Sequence, residues 1–197
     1  MKLKICGMKY SDNIVEAAKL QPDFMGFIFY DKSARLFDSE IPVFDEGIQK
    51  VGVFVNASLD QILNKIKQYD LQLVQLHGEE TPEFCDLLKH INVQIIKVFS
   101  VDNHFNFNEI LPFENVCDYF LFDTKGKLHG GNGFSFDWQI LKKYPSNKPF
   151  FLSGGIGLEE IEKIKKSNLP VYAVDVNSKF EIEPGLKNIE LLKNIQL

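Results

Sequence analysis

Four side chains able to take or give a proton stand at the ends of short apolar runs: Cys6 after Leu3-Lys4-Ile5, His77 after Leu73-Val74-Gln75-Leu76, Asp123 after Leu121-Phe122, and Asp175 after Val171-Tyr172-Ala173-Val174. A thiol and a carboxyl group brought to one ligand suit general-base and general-acid work. Gln75 joins this set because it shares a strand face with His77, as Lys4 does with Cys6. Gly154-Gly155-x-Gly157 closes a further apolar run and opens a helix, the pattern of a backbone cradle for phosphate. Arg35 lies in the loop segment Lys32-Ser33-Ala34-Arg35 and supplies a cation. Each residue has a plainer reading. Cys6 fits as a small core filler, Asp123 and Asp175 as caps, His77 as a turn residue, Arg35 as a solvated charge, and the glycine pair as a tight turn. A metal site from Cys6, His77 and Asp123 is conceivable by ligand type, but no local pair such as HxH or HExxH supports it.

What must position these groups is an alternation of strands and helices along the whole chain. Strands are expected at Lys2–Cys6, Phe24–Phe29, Val51–Val55, Leu71–Leu76, Val93–Phe99, Asp118–Phe122, Pro149–Leu152 and Val171–Val174. Ser11 or Asp12 is expected to cap a helix with Ile14, Val15 and Ala18 on its apolar side. Ser58 caps another through Gln68, and Thr81-Pro82 starts a third that runs to about His90. A weakly patterned helix is expected over Phe105–Leu111, one opening near Phe136-Asp137-Trp138, one over Leu158–Lys166, and a last one over Leu186–Ile195. The segment Tyr30–Lys50 is irregular, and a glycine-rich loop spans His129–Gly133.

Eight strands rich in Val, Ile, Leu and Phe, with helical segments between them, predict an α/β fold: one small (β/α)8 TIM barrel over residues 1–197 with few insertions. A doubly wound sheet is the rival. In a barrel the active site forms at the carboxyl ends of the strands, where all the groups above fall.

Composition narrows the function. A formal charge of −5 argues against nucleic acid as a partner, because phosphate-backbone binding needs a basic surface. No apolar run reaches membrane-spanning length, and no signal peptide is expected. Cys6, Cys85 and Cys117 are odd in number, widely spaced and without a CxxC pair, which fits a reducing cytoplasm.

The motifs taken together resemble the phosphoribosylanthranilate isomerases of tryptophan biosynthesis, over essentially the full length. The matching stretches are Lys4-Ile5-Cys6-Gly7, Gly26-Phe27-Ile28-Phe29-Tyr30, Val51–Asn56, Val74-Gln75-Leu76-His77-Gly78, Leu121-Phe122-Asp123-Thr124, Gly130-Gly131-Asn132-Gly133 with Phe136-Asp137-Trp138, Leu152-Ser153-Gly154-Gly155 and Ala173-Val174-Asp175-Val176. The resemblance implies an Amadori rearrangement of N-(5-phosphoribosyl)anthranilate without cofactor or metal, by a monomer or homodimer. It implies Asp123 as general acid and Cys6 as general base. Arg35 would hold the anthranilate carboxylate, with Gln75, His77 and Asp175 as further substrate contacts. Gly154, Gly155, Asn177 and Ser178 would hold the phosphate. A different phosphosugar barrel, such as an epimerase or lyase, and a catalytically silent barrel that binds a phosphorylated ligand are the competing readings. The chain departs from the family at Lys179, where a glycine is usual, at Ala34, where proline is common, and at Asn188, where aspartate is usual. Loss of that glycine removes a residue suited to positive φ from the expected phosphate loop.

Overall fold

The computed structural model describes residues 1–124 and 138–197. The glycine-rich stretch 129–133 and the expected helix opening at Phe136-Asp137 lie outside the described residues. Eight parallel strands close into a barrel in chain order: β1 (Lys2–Ile5), β2 (Phe24–Ile28), β3 (Gln49–Phe54), β4 (Leu73–Leu76), β5 (Gln94–Val101), β6 (Tyr119–Thr124), β7 (Phe150–Leu152) and β8 (Val171–Val176). β8 returns to β1 with Asp175 opposite Lys4, so no edge is left unpaired. The doubly wound alternative is excluded by this closure.

Strand alternation divides the core. One set of side chains, including Phe24, Val51, Leu73, Ile96, Leu121, Phe151 and Ala173, fills the inside of the barrel. The alternate set, including Ile5, Met25, Phe27, Val74, Ile95, Phe120, Phe150 and Val174, faces the outer layer. Farther along the same inward-facing rows, toward the carboxyl ends, the residues turn polar: Cys6, Gln75, His77, Asp123, Ser153 and Asp175. The barrel is therefore plugged at one end and chemically equipped at the other.

The outer layer has five α-helices among the described residues: α1 (Ser11–Ala18), α2 (Leu59–Tyr69), α3 (Pro82–Lys89), α4 (Leu158–Lys166) and α5 (Ile189–Leu192). Ser58 caps α2 in a reciprocal capping box with Gln61, and Thr81 caps α3 ahead of Pro82, as their sequences predict. At α1 and at the last helix the expectations fail. Ser11 is the first residue of α1 rather than its cap: Tyr10 holds the cap position with no side-chain bond. The last helix is only four residues long, because Leu186–Lys187 form β10 against β9 (Glu181–Glu183) and Asn188 then caps α5. Lys187 is drawn into that hairpin by its buried ion pair with Glu181.

Among the described residues, the β5–β6 and β6–β7 crossovers carry 3-10 turns, Phe107–Phe113 and Trp138–Lys143, where the sequence predicts helices, and the 30–48 segment has no helix. Phenylalanines cover the barrel there. Phe99, Phe105, Phe107, Phe122, Tyr144 and Phe150 form one continuous set of ring contacts, and Phe27, Phe29, Phe37, Phe54 and Tyr69 form another. A ring buries far more area than an aliphatic side chain, so a short loop rich in Phe can shield strand surface that a helix would otherwise cover. Nine of the 18 Phe residues stand in these two sets.

Candidate active site

A cavity of about 450 Å³ opens at the carboxyl ends of the strands. All ten residues singled out from the sequence line it: Cys6, Arg35, Gln75, His77, Asp123, Gly154, Gly155, Asp175, Asn177 and Ser178.

Cys6 follows β1, its backbone N–H donating to the Val176 carbonyl at 2.9 Å. The thiol fits because β2 carries Gly26 beside it: a Cβ there would lie 2.8 Å from Cys6 Sγ. Burial pushes the Cys6 thiol above its ordinary value; Lys4 opposes this most strongly, and Asp175 reinforces it. Lys4 is fully buried and pairs with Asp175 at 2.9 Å. Burial disfavours its ammonium, but the combined pull of Asp175 and Cys6 holds its pKa above the ordinary value. Lys4 thus serves both partners that its position on β1 made available.

Asp123 stands on β6, three strands from β1 around the ring. One carboxylate oxygen accepts the Thr124 N–H at 2.9 Å, and the other lies 3.3 Å from His77 Nε2. His77 is held from below: its N–H donates to the Phe54 carbonyl at 2.8 Å. Gly78, next in the chain, is gripped by the buried Lys97–Glu80 pair, with Lys97 Nζ donating to its carbonyl at 2.7 Å and Glu80 accepting its N–H at 3.0 Å. Gln75, 2% exposed, turns a buried side-chain oxygen without a hydrogen-bond partner among the described residues. A buried carbonyl lacking a donor is costly unless a ligand supplies one.

At the opposite wall, Gly154 and Gly155 both have positive φ, +91° and +67°. A Cβ on Gly154 would meet Thr124 Oγ1 and its backbone nitrogen, so glycine is required by conformation and by space. Asn177 and Ser178 face this loop at the end of β8. Lys179 also lines the cavity. It sits in a 3-10 turn, Ser178–Phe180, outside the positive-φ region, so the loop forms without the glycine the family pattern carries.

Arg35 is not held as a loose solvated charge. Its Nε and Nη2 grip Glu181 in a two-point pair at 2.6–3.0 Å, and Glu181 also accepts from Lys187 Nζ at 2.7 Å and the Gly185 N–H at 3.0 Å. Sequence reading assigned no role to Glu181, Lys187, Lys97 or Glu80. Their partners lie far away in the chain, Arg35 and Glu181 by 146 positions, and no spacing rule links them. Among the described residues no group of three or more His, Cys, Asp or Glu side chains converges as a metal site would require.

An eight-stranded parallel barrel with its polar side chains gathered in a cavity at the carboxyl ends of the strands has the architecture of a (β/α)8-barrel enzyme. The comparisons narrow this class. Residues 3–196 match the family model described as N-(5'-phosphoribosyl)anthranilate (PRA) isomerase, and the chain belongs to that family of isomerases. A relative in Parabacteroides distasonis, an N-(5'-phosphoribosyl)anthranilate isomerase, is 43% identical over 202 residues, covering 98% of this chain and 91% of its own. The Thermotoga maritima phosphoribosylanthranilate isomerase structure is 32% identical with a TM-score of 0.86 over 98% of this chain and 95% of its own; that enzyme is described as dimeric. A further solved isomerase, 30% identical with a TM-score of 0.82 and the same coverage, is in complex with reduced 1-(o-carboxyphenylamino)-1-deoxyribulose 5-phosphate.

Proposed function

We propose that this isomerase converts N-(5-phosphoribosyl)anthranilate to 1-(2-carboxyphenylamino)-1-deoxyribulose 5-phosphate in tryptophan biosynthesis, with Asp123 as general acid and Cys6 as general base. Asp123 donates a proton to the furanose ring oxygen. The C1–O bond breaks, the oxygen leaves as a hydroxyl, and the anthranilate nitrogen lone pair forms an iminium at C1. The Cys6 thiolate then removes the C2 proton. The C–H electrons form the C1–C2 double bond of an enolamine, and nitrogen regains its pair. In ketonisation C1 gains a proton, in net terms the one held by the Cys6 thiol, and the C2 hydroxyl gives up its proton, in net terms to the Asp123 carboxylate, leaving a carbonyl at C2 and both groups as they began.

The observation that carries this reading is the shared cavity: the thiol and the carboxylate, 117 positions apart in the sequence, line one space with a glycine cradle at its wall. His77, at 3.3 Å from Asp123, stabilises the carboxylate left after the first proton transfer. Gln75 offers its unpaired oxygen to a substrate hydroxyl or N–H. The backbone N–H groups of Gly154, Gly155, Asn177 and Ser178 receive the phosphate, and Arg35 receives the anthranilate carboxylate.

The test is an isomerase assay with freshly prepared phosphoribosylanthranilate. Wild-type protein should turn it over. Asp123→Asn should lose about 10²–10⁴-fold in turnover while still binding the reduced product analogue. Undiminished turnover by Asp123→Asn would rule out the assigned acid.

A further inference from the structure

Glu181 occupies an unusual electrostatic position for a residue that does not line the cavity. Its side chain is 5% exposed and receives two cations, Arg35 and Lys187, together with the Gly185 N–H. One carboxylate thus meets two basic side chains. The Lys187 ammonium is fully buried and donates as well to Asn177 Oδ1 at 2.7 Å, on the cavity wall. Burial pushes the Glu181 carboxyl up, but Arg35 and Lys187 outweigh it and hold it below the ordinary value; for Lys187 burial wins over the pull of Glu181 and holds the ammonium below its ordinary value.

The geometry of the pair decides which edge of Arg35 is free. Nε donates to Glu181 Oε1 at 2.8 Å and Oε2 at 3.0 Å, and Nη2 to Oε2 at 2.6 Å. Two of the five guanidinium N–H groups are thereby committed. Nη1 has no partner among the described residues, while Arg35 itself lines the cavity. A guanidinium fixed on one edge can meet a second carboxylate only with the other.

We propose that Glu181 is a positioning residue for carboxylate recognition. It locks one edge of Arg35 and presents the other to the ligand. This rests on the proposed function, since it concerns the carboxylate of that substrate.

The experiment measures calorimetric affinity for two probes, reduced 1-(o-carboxyphenylamino)-1-deoxyribulose 5-phosphate and the 1-phenylamino analogue that lacks the carboxyl group. Wild-type protein should favour the carboxylated probe by about 10–100-fold, the range for charge-assisted hydrogen bonds. In Glu181→Gln that preference should fall to ~3-fold or less, with affinity for the phenylamino probe within ~3-fold of wild type, because only carboxylate recognition is disturbed. Glu181→Asp retains the charge, and so the fold if Gln does not, yet withdraws the carboxylate by one methylene; its preference should also fall. Equal weakening of both probes, with the preference kept in the folded variants, would make Glu181 merely structural and overturn the inference. Wild-type protein that binds neither probe would overturn the isomerase reading itself.

Discussion

Cys6 sits where burial opposes the charge that a general base needs. The thiolate is the reactive form, and burial raises the thiol pKa beyond its ordinary value. Lys4, fully buried on the same strand face, is the largest influence in the other direction. The sign follows directly: with Cys6 as the proposed base, its rate limb should rise with pH above the ordinary thiol range, and Lys4 should bring it part of the way back. Lys4→Met should therefore move the basic limb of the kcat/KM profile to still higher pH. The same change leaves Asp175 buried without its cation and should cost about 3–5 kcal/mol of stability, read from denaturant midpoints. A limb that stays in place while stability falls would limit Lys4 to a structural ion pair. The cavity-lining side chains were legible in the sequence at this scale because several polar groups fall together at the ends of apolar strands, although each taken alone also fits a cap, a turn or the core. The partners that tune or orient them were not legible. Glu181 reads as one acidic residue among many until the fold brings it to Arg35.

Elements with strong local signals took their expected form. Ser58 and Thr81 cap their helices because a side-chain oxygen can reach an orphan N–H within one turn, and α4 spans Leu158–Lys166 as the apolar spacing requires. Where tertiary contacts decide, local pattern misled. Leu186–Lys187 looks helical by neighbourhood but pairs as a short strand, because burying Lys187 against Glu181 and bonding its backbone to Asn13 outweighs local preference. The loop after β8 is the element where this chain departs from its family, with Lys179 facing the cavity in a right-handed turn. An ammonium beside a phosphate adds attraction that glycine cannot. Lys179→Gly should raise KM by about 3–10-fold with kcat little changed, the loss of one partly solvated charge pair. Steeper salt dependence of KM in wild type than in the variant is the companion readout. An unchanged KM and salt slope would mean that the backbone alone holds the phosphate.

At the scale of the whole molecule, the closed barrel solves a placement problem. Cys6 and Asp123 are distant in sequence and three strands apart around the ring, yet closure points both into one mouth while Phe24, Leu121 and Phe151 fill the other end. Barrel closure was readable from eight strand patterns rich in β-branched and aromatic residues. The thin parts of the outer layer were not, since ring packing around Phe122 and Tyr144 replaces helix packing and leaves no periodic trace.

The convergence of thiol and carboxylate on one sugar is tested most directly by turnover of Cys6→Ala, Asp123→Asn and the double variant, each matched to its affinity for the reduced product. Successive barriers on one path do not add, so each single variant should lose about 10²–10⁴-fold, and the double should be slower than the worse single by no more than ~10-fold, with affinities preserved. Near wild-type turnover in either single variant would contradict the account.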